Sequence, residues 1–273
     1  NQLVGLCPEG LATLDQPAGF DCKTTLQQAI TAYQRAARVD PATPAPLIDK
    51  ATTLRLLDRS DEAESAYRAA IPAIEALPDG PTGTLYQAYT GLARLLSGQG
   101  RYDEAEEVAQ QIATLRPDVS AVAILTGDLL RARGRLAEAL AAYGQAVQLT
   151  PDDALANSRV GDMLLSTGRL EEARAAYEIA LSTAPNDRNS RLGMARTLTQ
   201  QQADPEITAR GEADLARARS LLEALLAANP DDTAAQLALG DTLLAQGAAD
   251  EAVAAYQAVL AQQPDNVGVI DSL

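Results

Sequence analysis

GRLAEALAAYGQAVQLTPDD at residues 134–153 is answered one step later by GRLEEARAAYEIALSTAPND at 168–187. The Gly-Arg and Glu-Ala pairs recur in GRYDEA (100–105), GRLAEA (134–139) and GRLEEA (168–173), a step of 34 residues. Self-similarity at such a period marks an array of small stacked units rather than one globular core. Prolines keep the same phase at Pro117, Pro151 and Pro185, and after a longer interval at Pro230 and Pro264, again 34 apart.

Composition sets the class of these units. Of 273 residues 47% are hydrophobic but only 3% aromatic; Ala and Leu dominate, which suits close helix–helix contact and disfavours sheets. The reading is all-α. A net charge of -15, with no clustered Lys or Arg, repels phosphate backbones, so no nucleic-acid partner is expected. No run reaches the 18 or so apolar residues of a membrane span, and no leader is visible. The chain opens on Asn1 rather than Met, which reads as a mature or trimmed product.

With the turn proline as the fixed end, the units run over about 44–77, 86–119, 120–153, 154–187, 188–232 and 233–266, preceded by a partial unit at 10–43. Unit 154–187 carries Gly161 at its position 8, Ala173 at 20, Tyr177 at 24, Ala180 at 27 and Pro185 at 32. Units 120–153 (Gly127, Ala139, Tyr143, Ala146, Pro151) and 233–266 (Gly240, Ala252, Tyr256, Val259, Pro264) follow closely. This pattern resembles the tetratricopeptide repeat family, in bacterial form, and implies a right-handed α-solenoid of antiparallel helix-turn-helix repeats over 23–266.

Small residues at 8, 20 and 27 let helix backbones approach, and Tyr at 24 fills the gap they leave. Pro at 32 ends the second helix. The polar pairs that follow, Asp152-Asp153, Asn186-Asp187, Asp231-Asp232 and Asp265-Asn266, read as N-caps and not as calcium ligands, since no twelve-residue ligand loop surrounds them. With no His and two Cys, no zinc site is expected.

The array departs from its pattern in places. Unit 44–77 has Glu75 where proline belongs, and its second helix is expected to run, kinked at Pro72, to about Leu77. Residues 78–85 and the polar excess 200–211 are read as loops bulging from the array. A helix is expected over Lys23–Val39, and segment 1–22 is read as an N-terminal cap. Cys7 and Cys22 lie there, away from every repeat; a disulfide between them would add about 3 kcal/mol for a loop of this length and imply an oxidising compartment. The alternative is two unpaired thiols. The tail 267–273 is short for a cap, so the last hairpin is expected to expose apolar surface that a longer chain or a second copy would cover.

In the family resembled, ligands lie along the inner surface at first-helix positions 2, 5, 9, 12 and 13. Carried across, position 5 is Ile48, Thr90, Ile124, Ser158, Leu192 and Leu237, and position 9 is Thr52, Arg94, Asp128, Asp162, Arg196 and Asp241. The chaperone-clamp members use Lys at position 5 and Asn at position 9, which this chain lacks throughout. The groove is read as mixed, with Arg94 and Arg196 facing acidic groups and the aspartates basic ones, or else as charges that merely solvate an inner face.

No catalytic constellation is legible. The chain has no His, and GPTGT at 80–84 lacks the Lys of a phosphate-binding loop, so neither enzyme activity nor a cofactor is expected. The reading is a protein-binding scaffold of an extracytoplasmic bacterial envelope, secretion or pilus assembly: the cysteines point to the compartment, and the Ala/Arg-rich, Lys-poor composition to the source. A cytosolic adaptor and the repeat portion of a longer enzyme are the alternatives.

Overall fold

The computed structural model describes residues 22–40, 43–77, 82–201, 208–266 and 269. These form helices and turns, with no strand among them. The helices are α1 (Cys22–Val39), α2 (Ala45–Leu56), α3 (Ser60–Glu75), α4 (Thr82–Gly98), α5 (Tyr102–Leu115), α6 (Ser120–Ala132) and α7 (Leu136–Leu149), followed by α8 (Ala154–Ser166), α9 (Leu170–Thr183), α10 (Arg188–Gln201), α11 (Thr208–Ala228), α12 (Thr233–Ala245) and α13 (Ala249–Gln262). The chain is an all-α solenoid. Its described residues fall into two compact units, Asn1–Pro117 with Asp128–Gly134, and Asp118–Gly127 with Arg135–Leu273, so α6 is shared between them.

The Gly-Arg and Glu-Ala recurrence has a physical cause at each letter. Gly100, Gly134, Gly168 and Gly247 sit at φ 74 to 76°, the left-handed conformation that closes the first helix of a hairpin at low steric cost. At the first hairpin the same place is taken by Asp58, at φ 58°. The arginine that follows precedes the second helix and offers no side-chain cap; its guanidinium grips the glutamate three residues on. Arg59–Glu62, Arg101–Glu104, Arg135–Glu138 and Arg169–Glu172 each make this bidentate pair, at 2.5–2.8 Å. The glutamate thus stands in the first helical turn, where negative charge is favoured. The closing alanines, Ala63, Ala105, Ala139, Ala173 and Ala252, have no exposed surface, and a larger side chain there would separate the paired helices.

In the first unit α1 packs on α2, α2 pairs with α3 and α4 with α5, and α2 also touches α4. In the second unit α8–α9, α10–α11 and α12–α13 are the hairpins, and α8, α10 and α12 stack on one another in turn. That stacking makes an array rather than a bundle. Among the described residues of both units, the largest fully buried side chains are Tyr67, Tyr143, Tyr177 and Tyr256. The interhelical polar caps fall on the second member of each acidic pair. Asp153 accepts from the amides of Leu155 and Ala156, at 3.0 Å each; Asp187 accepts from Ser190 and Asp232 from Ala235.

Helix α3 continues through Pro72, as expected, but ends at Glu75, two residues before the Leu77 that was expected. Two of the expected loops are shorter than read. Helix α4 begins at Thr82, inside the 78–85 stretch, and α10 and α11 take residues up to 201 and from 208 of the 200–211 stretch. Residues 78–81 and 202–207 lie outside the described residues, as do Cys7, the side chain of Cys22 and the pairing expected between them. At the last hairpin Val269 is buried against Leu243, Ala252, Tyr256 and Val259, so part of the surface expected to be open is covered by the tail itself.

Candidate functional site

The first unit contains an open cavity of about 400 Å³ between α2 and α4, floored by Tyr67 of α3. Helix α2 contributes Ile48, Asp49, Thr52 and Arg55, which are positions 5, 6, 9 and 12 of its repeat; α4 contributes Tyr86, Gln87, Thr90, Gly91 and Arg94, positions 1, 2, 5, 6 and 9. A helical period of 3.6 places these positions on one stripe, and parallel stacking of α2 and α4 sets the two stripes side by side. Thr90 and Arg94, both carried across by repeat position, line this cavity together. Arg55 was within reach, since position 12 belongs to the resembled family's binding surface.

Position 5 turns inward more than expected. Ile48, Thr90, Ile124, Ser158 and Leu192 are buried and Leu237 is half-buried, so these residues hold the stack together. The accessible chemistry lies at position 9, where Arg94, Arg196 and Asp241 are exposed and Thr52, Asp128 and Asp162 half-buried.

Three of the position-9 residues bind the repeat tyrosine of their own hairpin. Thr52 Oγ1 and Tyr67 Oη share a hydrogen bond of 3.0 Å. Tyr177 Oη donates to Asp162 Oδ1 at 2.7 Å, and Tyr256 Oη to Asp241 Oδ1 at 2.8 Å. Burial, with the neighbouring aspartate, holds both tyrosine hydroxyls well above the usual phenol range; Arg196 acts on Tyr177 in the opposite direction. Asp162 also lies 3.7 Å from Arg159, and Asp128 3.9 Å from Arg131. The aspartates read as basic-partner contacts are thus already engaged within the fold.

The arginines differ. Among the described residues of the first unit, Arg59, Arg68, Arg101, Arg131 and Arg133 all pair with carboxylates. Arg35 and Arg38 on α1 do not, and neither do Arg55 and Arg94, in the cavity. Beside them Asp49 is held above the usual carboxylate range by burial, and the Thr90 hydroxyl is buried without a hydrogen-bond partner.

Two further positions escaped the sequence reading. A Cβ on Gly193 would lie 2.3 Å from the Tyr177 ring, and one on Gly91 2.5 Å from Tyr67. Both are position 6, where the next repeat's first helix crosses the tyrosine. Glycine recurs at only two of the six units there, which is why no periodic signal marked it.

Family models described as tetratricopeptide repeat match residues 43–118, 90–154, 124–188 and 209–273, together covering most of the chain. No curated protein sequence matches it. Among solved structures, the chain is similar to one in the APC/C hetero-tetramer Cut9–Hcn1, with a TM-score of 0.68 at 15% identity, over 90% of this chain and 45% of that one. A tetratricopeptide repeat protein from Parabacteroides merdae aligns with a TM-score of 0.56 at 18% identity, over 79% and 78%. A human IFIT1 dimer with m7Gppp-AAAA aligns with a TM-score of 0.60 at 14% identity, over 88% and 55%. At these identities the likeness is one of fold. The chain spans less than half the length of the first of them.

Proposed function

The chain belongs to the tetratricopeptide repeat family, and from that premise we propose a non-catalytic protein-interaction scaffold of an extracytoplasmic bacterial assembly, of the envelope, secretion or pilus kind. Repeats of this family form protein-interaction scaffolds, and the cavity between α2 and α4 carries the reading. It gathers polar side chains from two adjacent hairpins and leaves its two guanidinium groups without ion pairs among the described residues. Such a site offers directional donors to a chain lying across both hairpins. The absence of His from the sequence supports a binding role over acid–base catalysis. The net charge of -15 favours protein over nucleic acid as partner.

The compartment rests on Cys7 and Cys22, the only cysteines in the chain, and the bacterial source on the Arg-rich, Lys-poor composition. The decisive experiment is photo-crosslinking in the native cell from a reactive residue at Gln87, with identification of what is captured. An envelope protein, captured through the cavity, is the expected result. Crosslinks to cytosolic proteins would refute the compartment, and crosslinks to nucleic acid alone would refute the scaffold. A thiol assay on unfolded, unreduced protein should find no free thiol; two would remove the argument for export.

A further inference from the structure

We propose that the cavity between α2 and α4 receives a carboxylate side chain from an acidic segment of the protein partner, held by Arg55 and Arg94. This rests on the reading of the chain as a protein-interaction scaffold and names the chemistry that its first unit recognises. In a chain with 37 acidic and 22 basic residues, an arginine has carboxylates to spare. The arginines of the first unit from Arg59 onward, Arg94 aside, use them or have another contact; Arg35 and Arg38, exposed on α1, pair with nothing described, as do Arg55 and Arg94, but the last two line one cavity together. The two guanidinium groups line one cavity, where an arriving carboxylate can accept charge-assisted hydrogen bonds from them.

Asp49 shares the cavity, so two cations face one carboxylate and the lining carries a net single positive charge. That balance fits a monoanion. A phosphate monoester, near two negative charges at neutral pH, would over-compensate it and meet stronger repulsion from Asp49. The Thr90 hydroxyl, buried and unpartnered, and the Gln87 amide add donors on the α4 side. An apolar ligand would leave all of these unpaired.

The test uses the full chain, 15N-labelled, titrated with an N-acetylated, C-amidated glutamate pentapeptide, and separately with the glutamine pentapeptide and a phosphoserine peptide of equal length. The glutamate peptide should give saturable amide shifts confined to α2 and α4, and the glutamine peptide none. Arg55→Ala and Arg94→Ala should each weaken binding roughly two- to fivefold, as expected of partly exposed ion pairs. Salt should weaken it further, and Arg196→Ala, in the other unit, should change nothing. Both arginines are at the surface, so these variants keep the fold; Arg55→Lys with Arg94→Lys retains charge and should recover part of the binding.

The proposal falls if no saturable shifts appear, if glutamine binds as well as glutamate, if only phosphoserine binds, or if the double alanine variant binds undiminished. Crosslinking from Gln87 separates the two failures. A partner captured equally by wild type and by the double variant leaves the scaffold standing and removes the carboxylate site alone.

Discussion

The Tyr177 hydroxyl donates to Asp162 at 2.7 Å while the ring of the same tyrosine fills the space between Gly161 of its own hairpin and Gly193 of the next. One side chain therefore ties a position on the binding stripe to the packing of two hairpins. Asp162→Ala should lower stability by about 1 kcal/mol, the usual net value of such a bond, although its position suggests a dispensable groove residue. Tyr177→Ala should cost about 3–5 kcal/mol, as large buried truncations do. Urea denaturation of the two variants checks the ranking, and equal stabilities would refute it.

Gly193→Ala places a methyl group 2.3 Å from the Tyr177 ring. Overpacking of this kind costs about 1–3 kcal/mol. Gly144, inside α7 with nothing within 4 Å of a Cβ, is the control: Gly144→Ala should stabilise by about 0.5–1 kcal/mol through helix propensity alone. Thermal melts of the pair should move in opposite directions.

Stability should be lost at both ends of the pH scale, for separate reasons. The arginine clamps hold Glu62, Glu64, Glu104, Glu138 and Glu172 below the usual carboxylate range. Groups lowered in the folded state contribute stability that is present above their unfolded pKa, about 4.3, and is lost as pH falls through the folded value. The denaturation midpoint should therefore drop below about pH 4.5, less steeply in Arg101→Gln. Tyr89 is pushed up to about 12 by burial and by its bond to Glu75, and Tyr177 and Tyr256 are raised as well. A group raised in the folded state contributes below its unfolded pKa, about 10 for tyrosine, and loses that contribution as pH rises further. Midpoints measured from pH 3 to 12 should show both losses.

Ser158 and Thr90 each bury a hydroxyl that makes no hydrogen bond among the described residues. An unsatisfied buried donor costs about 1–3 kcal/mol. Ser158→Ala and Thr90→Val should therefore raise the melting temperature, and Thr90→Val should do so while weakening the glutamate peptide. A lowered melting temperature in both would show that the hydroxyls are satisfied in solution.

Most of the fold is legible in the sequence. The period of 34 residues, the Gly and Ala positions, the repeat tyrosines and the acidic caps are short-range signals, because each hairpin contacts mainly its neighbours and so repeats its own requirements along the chain. The candidate site is half legible. Arg94 and Thr90 can be placed by repeat position, but that Asp162 and Asp241 already serve their own tyrosines, and that Arg55 joins Arg94, depends on side-chain geometry across helices.

By itself, then, the sequence determined the class and the repeat, since periodicity, propensity and capping act within one hairpin. The tertiary structure decided which charges are already engaged within the fold and which are left for a partner. It also decided where glycine is required outside the repeat pattern. Those outcomes depend on distances of 2–4 Å between residues of different helices, and a tyrosine that bonds an aspartate fifteen positions away leaves no mark in the spacing of either.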